Sequence, residues 1–287
     1  MQEVLQRAWL SRGLLAMALW PLSAIFRAVV GLRRFAYERR VFQTSSLQVP
    51  VVVVGNLIAG GAGKTPLVMA LVRHLQARGR HPGVVSRGYG RLSEHCLEVL
   101  PHMPAGLCGD EPLLIRQSTG APVFVARRRI DALNALLAAH TQTDLVICDD
   151  GLQHYALRRD LNIAVFDDRG IGNGWLLPAG PLRETWPQPQ RHRPEPGPQA
   201  VAPVDLLLHT GQRPAFAGFK SSRALANEAV AANGTRVPLE ALRGEPLMAV
   251  AAIANPEAFF AMLRQRGLTL ATTVALPDHD RFDGEPF

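Results

Sequence analysis

Apolar and polar residues alternate along this chain in blocks of two kinds. Short runs rich in β-branched residues, apolar on both faces, predict strands at Val49–Val54, Pro82–Ser86, Pro122–Ala126, Asp144–Cys148 and Asn162–Phe166. Between them, helical spacing of apolar residues predicts helices over Leu67–Ala77, Leu113–Ser118 and Ile130–Ala139. Strands apolar on both faces, separated by helices, require a parallel sheet covered on both sides. After a stretch rich in Pro, Gln and Arg, the pattern resumes with strands at Val204–His209, Pro246–Ile253 and Leu268–Leu276. There, Asn255 and Pro256 read as the cap and first residue of a helix running to Arg266. The expected architecture is α/β: a parallel core over residues 46–186, a Pro-rich linker over 187–203 and a smaller α/β lobe over 204–287.

The N-terminus follows a different pattern. Gly13 to Phe26 carries no charge; Arg7 and Arg12 precede it, and Arg27, Arg33, Arg34, Arg39 and Arg40 follow. The run is shorter than the roughly 20 residues of a spanning helix, and Pro21 interrupts it. Apolar residues with Trp20 and flanking arginines predict instead a membrane-associated segment over residues 1–45, whose short apolar run forms a helix lying in the membrane interface.

The first strand runs into Gly55-Asn56-Leu57-Ile58-Ala59-Gly60-Gly61-Ala62-Gly63-Lys64-Thr65-Pro66. Strand, Gly-rich loop and helix in that order make a phosphate-binding loop, in which backbone N–H groups and a helix N-terminus face an anion. Ile58, Ala59, Gly60, Gly61, Ala62, Gly63, Lys64 and Thr65 are the expected nucleotide contacts. Ile58 stands where the strict pattern has Gly, so the match is to a Gly-Gly-x-Gly-Lys-Thr variant. Lysine is otherwise scarce: only Lys64 and Lys220 occur among 31 basic residues. A lysine here answers a need for a compact ammonium charge on the outer phosphates, with the Thr65 hydroxyl on Mg²⁺.

Net charge of +7 predicts an anionic partner, and the few aromatics, not interleaved with basic residues, argue against nucleic acid. Cys96, Cys108 and Cys148 form neither a zinc spacing nor a disulfide framework.

Other stretches carry candidate chemistry. The fourth strand ends in Asp149-Asp150, a strand-end acidic pair of the kind that holds Mg²⁺ in phosphate-loop enzymes. Asp110-Glu111 opens a helix, either as cap and dipole partner or as a carboxylate that takes a proton from a hydroxyl. Asp278-His279-Asp280 is either an exposed triplet or an oriented acid–base group. Arg87, Asn173 and Arg183 lie in polar loops after strands and are candidate substrate contacts.

These motifs occur in one order: the loop to Pro66, Ser86-Arg87-Gly88-Tyr89-Gly90, Gly109-Asp110-Glu111-Pro112, Asp149 to His154, Leu177 to Glu184, and Pro277-Asp278-His279. Together they resemble the tetraacyldisaccharide 4'-kinase family of Gram-negative bacteria over nearly the whole chain. The resemblance implies an enzyme on the cytoplasmic face of the inner membrane, held there by its N-terminal helix. It implies transfer of the ATP γ-phosphate to the 4'-hydroxyl of tetraacyldisaccharide 1-phosphate, with no obligate protein partner. It also implies Asp110 as catalytic base with His279 as its partner, and Thr65, Glu111, Asp149 and Asp150 around Mg²⁺.

The chain departs from the family in Ala251-Ala252-Ile253-Ala254, in a Pro-rich insertion from Pro187 to Pro198, and in stopping at Phe287 before a further strand. The second lobe is therefore expected to be C-terminally truncated. Three rivals have sequence tests. A partitioning-type ATPase carries Lys where this chain has Ala59, and a GTPase metal chaperone needs an Asn-Lys-x-Asp motif that neither lysine supplies. A lipid-binding module with a degenerate loop would transfer no phosphate.

Overall fold

The computed structural model describes residues 5, 7–39, 41–42, 49–186, 204–231, 233–253, 255–277 and 280. The chain divides into two compact units, residues 1–221 and 222–287.

In the first unit the strands are β1 (Val51–Gly55), β2 (Pro82–Ser86), β3 (Leu97–Glu98), β4 (Val123–Val125), β5 (Leu145–Asp149), β6 (Leu161–Phe166), β7 (Leu206–His209) and β8 (Phe219–Lys220). They form one sheet in the order β3-β4-β2-β5-β1-β6-β7-β8. All neighbours are parallel except β3 on β4. Alternate residues of each strand feed opposite cores. Val51, Val53, Val146, Cys148, Ala164 and Phe166 face one side. Val54, Ile147, Ile163 and Val165 face the other. Helix α1 spans Leu14–Glu38, α2 Lys64–Gln76, α3 Ala105–Cys108, α4 Asp110–Thr119 and α5 Arg129–Ala139. Ala132, Leu133 and Leu136 of α5 fill the first core. Val68 and Val72 of α2 and Ile115 of α4 fill the second. Both faces are covered, so runs apolar at every position are the stable solution.

Two expectations are corrected. The strand expected to open the second lobe instead extends the first sheet, with Ile163 paired to Leu206 and Phe166 to His209. The Asp205 carboxylate accepts the Asn162 backbone N–H at 2.7 Å and fixes that register. The chain therefore passes to the second unit after Ser221, and the linker expected over 187–203 lies outside the described residues. Helix α1 is also longer than expected: 25 residues, with Pro21 inside it. Proline removes one backbone donor, and the helix formers on either side carry the helix through. The helix is long and apolar enough, by length and composition, to cross a membrane.

The second unit holds a hairpin of β9 (Glu228–Val230) and β10 (Arg236–Pro238), then β11 (Pro246–Ala251), α6 (Pro256–Gln265) and β12 (Thr269–Ala275). β11 and β12 pair in parallel, and Phe260 of α6 is buried with Ala249 and Ala251. Asn255 caps α6 as expected, its side-chain oxygen accepting the Ala258 N–H at 3.1 Å.

Candidate active site

Strand register builds the site. Val54, the last apolar residue before the loop, is paired with Asp149. Val85, just before Ser86, is paired with Cys148. The carboxyl ends of β1, β2 and β5 therefore converge, as ligand sites of parallel sheets require. Gly63 caps α2, and Lys64 and Thr65 form its first turn with buried side chains.

The groups brought together are charged and share little water. Lys64 Nζ lies 3.6 Å from Asp150 Oδ1. Arg183 Nη1 donates to both Asp150 oxygens at 3.1 Å. Arg129 donates to the Asp150 carbonyl at 2.9 Å. Asp150 has a φ of 48°, a left-handed conformation that Asp tolerates better than most residues. Burial works against its ionisation, but Lys64 and Arg183 outweigh burial and hold its pKa below the ordinary value.

Asp149 is the opposite case. It is 1% exposed. Its Oδ2 accepts from the Ser86 hydroxyl at 3.4 Å, and Oδ1 has no partner among the described residues. Burial, then the charges of Glu111 and Asp150, push its pKa up to about 7. The Thr65 hydroxyl donates to Glu111 Oε1 at 3.0 Å. Among the described residues no group of three or more His, Cys, Asp or Glu stands in metal-holding geometry. Mg²⁺ asks for less, since it keeps waters and takes phosphate oxygens along with one or two carboxylates. An orphaned buried carboxylate oxygen near a threonine hydroxyl and a second acid fits that donor set.

Asp110 is exposed at the first turn of α4. Gly109 before it has a φ of 96°, and a Cβ there would stand 3.0 Å from Gly88 Cα. The loop carrying exposed Arg87 is thereby pressed against the start of α4, which puts the candidate base and Arg87 on neighbouring loops. His279 lies outside the described residues. Asn173, expected at the substrate, is buried and acts as a brace. Its Nδ2 donates to the carbonyls of Ser11 at 3.1 Å and Ala179 at 2.9 Å, and its Oδ1 accepts the Trp175 N–H at 3.0 Å. It thereby ties the segment before α1 to the loop after β6.

That loop also lies along the phosphate loop. Ile58 bridges Leu182, and the Ala59 N–H reaches the Pro181 carbonyl at 2.8 Å. A cavity of about 340 Å³ opens there, lined by Trp9, Leu10, Ile58 and Pro181 and by Arg7 and Arg169. Four successive loop carbonyls are held by side chains. Arg169 reaches Ala59 at 3.3 Å and Gly61 at 2.8 Å. Asn56 holds Gly60 at 2.9 Å, and Thr210 holds Ala62 at 2.9 Å. Sequence reasoning missed Arg129, Arg169 and Thr210. For Arg169 and Thr210 a signal existed, since each stands just past the carboxyl end of a strand, β6 or β7.

A family model described as tetraacyldisaccharide-1-P 4'-kinase, LpxK, matches residues 15–287. The chain belongs to the tetraacyldisaccharide 4'-kinase family. A family member from Polaromonas naphthalenivorans is 59% identical over 282 residues, which cover 98% of this chain and 79% of that protein. Another, from Acidovorax sp. (strain JS42), is 56% identical with the same two coverages. Among solved structures, LpxK from Aquifex aeolicus in complex with ATP superposes with a TM-score of 0.78 at 27% identity. That match covers 96% of this chain and 86% of the other.

Proposed function

We propose that this chain is an ATP-dependent lipid kinase that phosphorylates the 4'-hydroxyl of tetraacyldisaccharide 1-phosphate in lipid A biosynthesis. The observation that carries the proposal is the convergence of Lys64, Thr65, Glu111, Asp149 and Asp150 at the ends of β1 and β5, in a chain of this family. Phosphoryl transfer needs positioning and charge neutralisation more than covalent help. Lys64 moves from Asp150 to the outer phosphates when nucleotide enters, and Asp150 stays ionised against Arg183. Thr65, Glu111 and Asp149 would hold Mg²⁺, which when bound neutralises charge on the transferred phosphoryl group. Asp110 accepts the proton of the sugar hydroxyl. Arg87 and Arg183 contact the substrate or its phosphates, and Asn173 shapes the loop beside them.

The substrate's chemistry agrees with the surroundings. An anionic glycolipid matches a basic chain, an apolar cavity carrying two arginines, and an N-terminal helix with an exposed apolar face. The enzyme sits on the cytoplasmic face of the inner membrane, where ATP is available, with its N-terminal helix at the lipid interface.

The test is transfer of labelled γ-phosphate from ATP to tetraacyldisaccharide 1-phosphate in detergent micelles. Wild type is expected to transfer. Asp110→Ala is expected to bind ATP normally and lose transfer by at least about 10²-fold, the lower range for a catalytic acid–base group. Normal turnover by Asp110→Ala would remove it from the mechanism.

A further inference from the structure

Arg169 emerges from the loop after β6 and reaches two carbonyls of the phosphate loop. Its guanidinium is clamped by Asp167, with Nε at 3.1 and 3.0 Å from the two carboxylate oxygens and Nη2 at 2.7 Å from Oδ2. The remaining donor capacity goes to the Ala59 and Gly61 carbonyls. Such a planar fork, fixed on one side by a carboxylate, holds two acceptors at a set spacing as no single ammonium can. Gly60, between the two carbonyls, has a φ of 94°, and a Cβ there would stand 3.0 Å from Arg169 Nη1. The loop backbone and the guanidinium are therefore in close contact.

The consequence follows from peptide geometry. In a planar trans peptide the carbonyl and the next N–H point in opposite directions. A carbonyl of Ala59 pinned on Arg169 turns the Gly60 N–H away from it, and the Gly61 carbonyl does the same for the Ala62 N–H. Amides fixed before the ligand arrives need no reordering when it binds. This matters more here because Ile58 replaces the first glycine of the strict loop pattern.

We propose that Arg169, clamped by Asp167, is a positioning residue for nucleotide: it presets the phosphate-binding amides of Gly60 and Ala62 through their preceding carbonyls. The proposal rests on the kinase reading for its meaning, and its test reads nucleotide binding separately from transfer. Arg169 also lines the cavity beside the loop, so the rival role is direct contact with the glycolipid.

The experiment measures ATP affinity by calorimetry, and KM for ATP and for tetraacyldisaccharide 1-phosphate, in full-length wild type, Arg169→Ala, Arg169→Lys and Asp167→Asn. The Tm without ligand is recorded for each. Arg169→Ala is expected to weaken ATP binding about tenfold, the scale of one charge-assisted hydrogen bond. KM for ATP should rise in parallel while KM for the glycolipid stays unchanged. Arg169→Lys should not restore ATP affinity, and Asp167→Asn should weaken it in the same direction by less. Unchanged ATP affinity in folded Arg169→Ala would overturn the proposal, as would a rise confined to the glycolipid KM. If Arg169→Ala does not fold, Asp167→Asn decides by the same criteria. Wild type that binds ATP and transfers nothing would overturn the kinase reading alone; the binding series would still decide this one.

Discussion

The carboxyl end of the sheet and the outer face of α1 reverse the usual partition of residues in opposite ways. At the sheet end, Lys64, Asp149 and Arg129 are buried. Along α1, Leu14, Met17, Trp20, Leu22, Ile25, Val29, Leu32 and Phe35 are exposed. Buried charge survives only where partners or a ligand compensate it. An exposed apolar stripe of this length persists where something other than water covers it. Each region therefore suits a different partner: one an anion with its counter-cation, the other an apolar phase. A kinase acting on an anionic lipid supplies both, and the two regions belong to the same compact unit.

The largest expected effect tests the buried-charge region. Lys64→Arg keeps the charge but replaces a point ammonium with a planar fork too large for a buried site beside Asp150. Transfer should fall by at least about 10²-fold, the range for losing one well-placed donor to a developing charge. Near-normal transfer by this variant would show that charge alone suffices, and the scarcity of lysine in the chain would lose its meaning.

Next comes the exposed region. Trp20→Glu with Ile25→Glu places two carboxylates on the apolar face of α1. Binding to vesicles of anionic phospholipid, followed by flotation, should weaken by at least about tenfold, since each buried apolar side chain is worth roughly 1.5–3 kcal/mol. ATP affinity should not change. Undiminished flotation would mean that basic residues elsewhere hold the protein to lipid.

How far the sequence made these regions legible differs between them. β1, β2 and β5 were readable because runs such as Val51-Val52-Val53-Val54 are bounded by Gly and Pro and buried on both faces. β8 and β9 were not, because Phe219–Lys220 and Glu228–Val230 are two and three residues long and largely exposed, so neither carries an apolar run. In the site, Lys64, Thr65, Asp149 and Asp150 belong to local motifs and were found. Arg169 was missed because its place just past the end of β6 marks it only as a site candidate, and its contact with Gly61 spans 108 residues. The length of α1 was underestimated by weighing Pro21 as a stop, when it removes a single hydrogen bond inside 25 residues of helix.

A smaller effect separates the two members of the acidic pair. A carboxyl whose folded-state pKa is raised favours the native state below its unfolded value, and that stability is lost as pH rises through the folded value. For Asp149 the window runs from the ordinary 3.8 to about 7. His154 opposes it: burial, then Arg129 and Arg159, lower its pKa to about 4, so its contribution is lost as pH falls from 6.5. The clean reading is therefore a difference. Without nucleotide, Asp149→Asn should raise Tm relative to wild type at pH 8 and lose most of that advantage at pH 5, with a ceiling of about 4 kcal/mol. Asp150→Asn should lower Tm at both pH values, because it strands Lys64 and Arg183. Equal behaviour of the two variants would dissolve the contrast.

The smallest effect joins both regions in one helix turn. Ser23 of α1 is 5% exposed and its hydroxyl donates to the Leu176 carbonyl at 2.7 Å, whereas its neighbour Leu22 is 54% exposed. The polar residue faces inward and the apolar one outward. Ser23→Ala removes a buried donor, but the Leu176 carbonyl keeps the Gly180 N–H at 2.9 Å. The cost should be about 1 kcal/mol, the low end for such a loss. In a unit of this size that is roughly 2–4 °C in Tm. Leu22→Ala should leave Tm unchanged and weaken vesicle binding instead. If Leu22→Ala lowers Tm as much as Ser23→Ala and leaves vesicle binding intact, the outer face of α1 packs against protein, and its pairing with the lipid substrate fails.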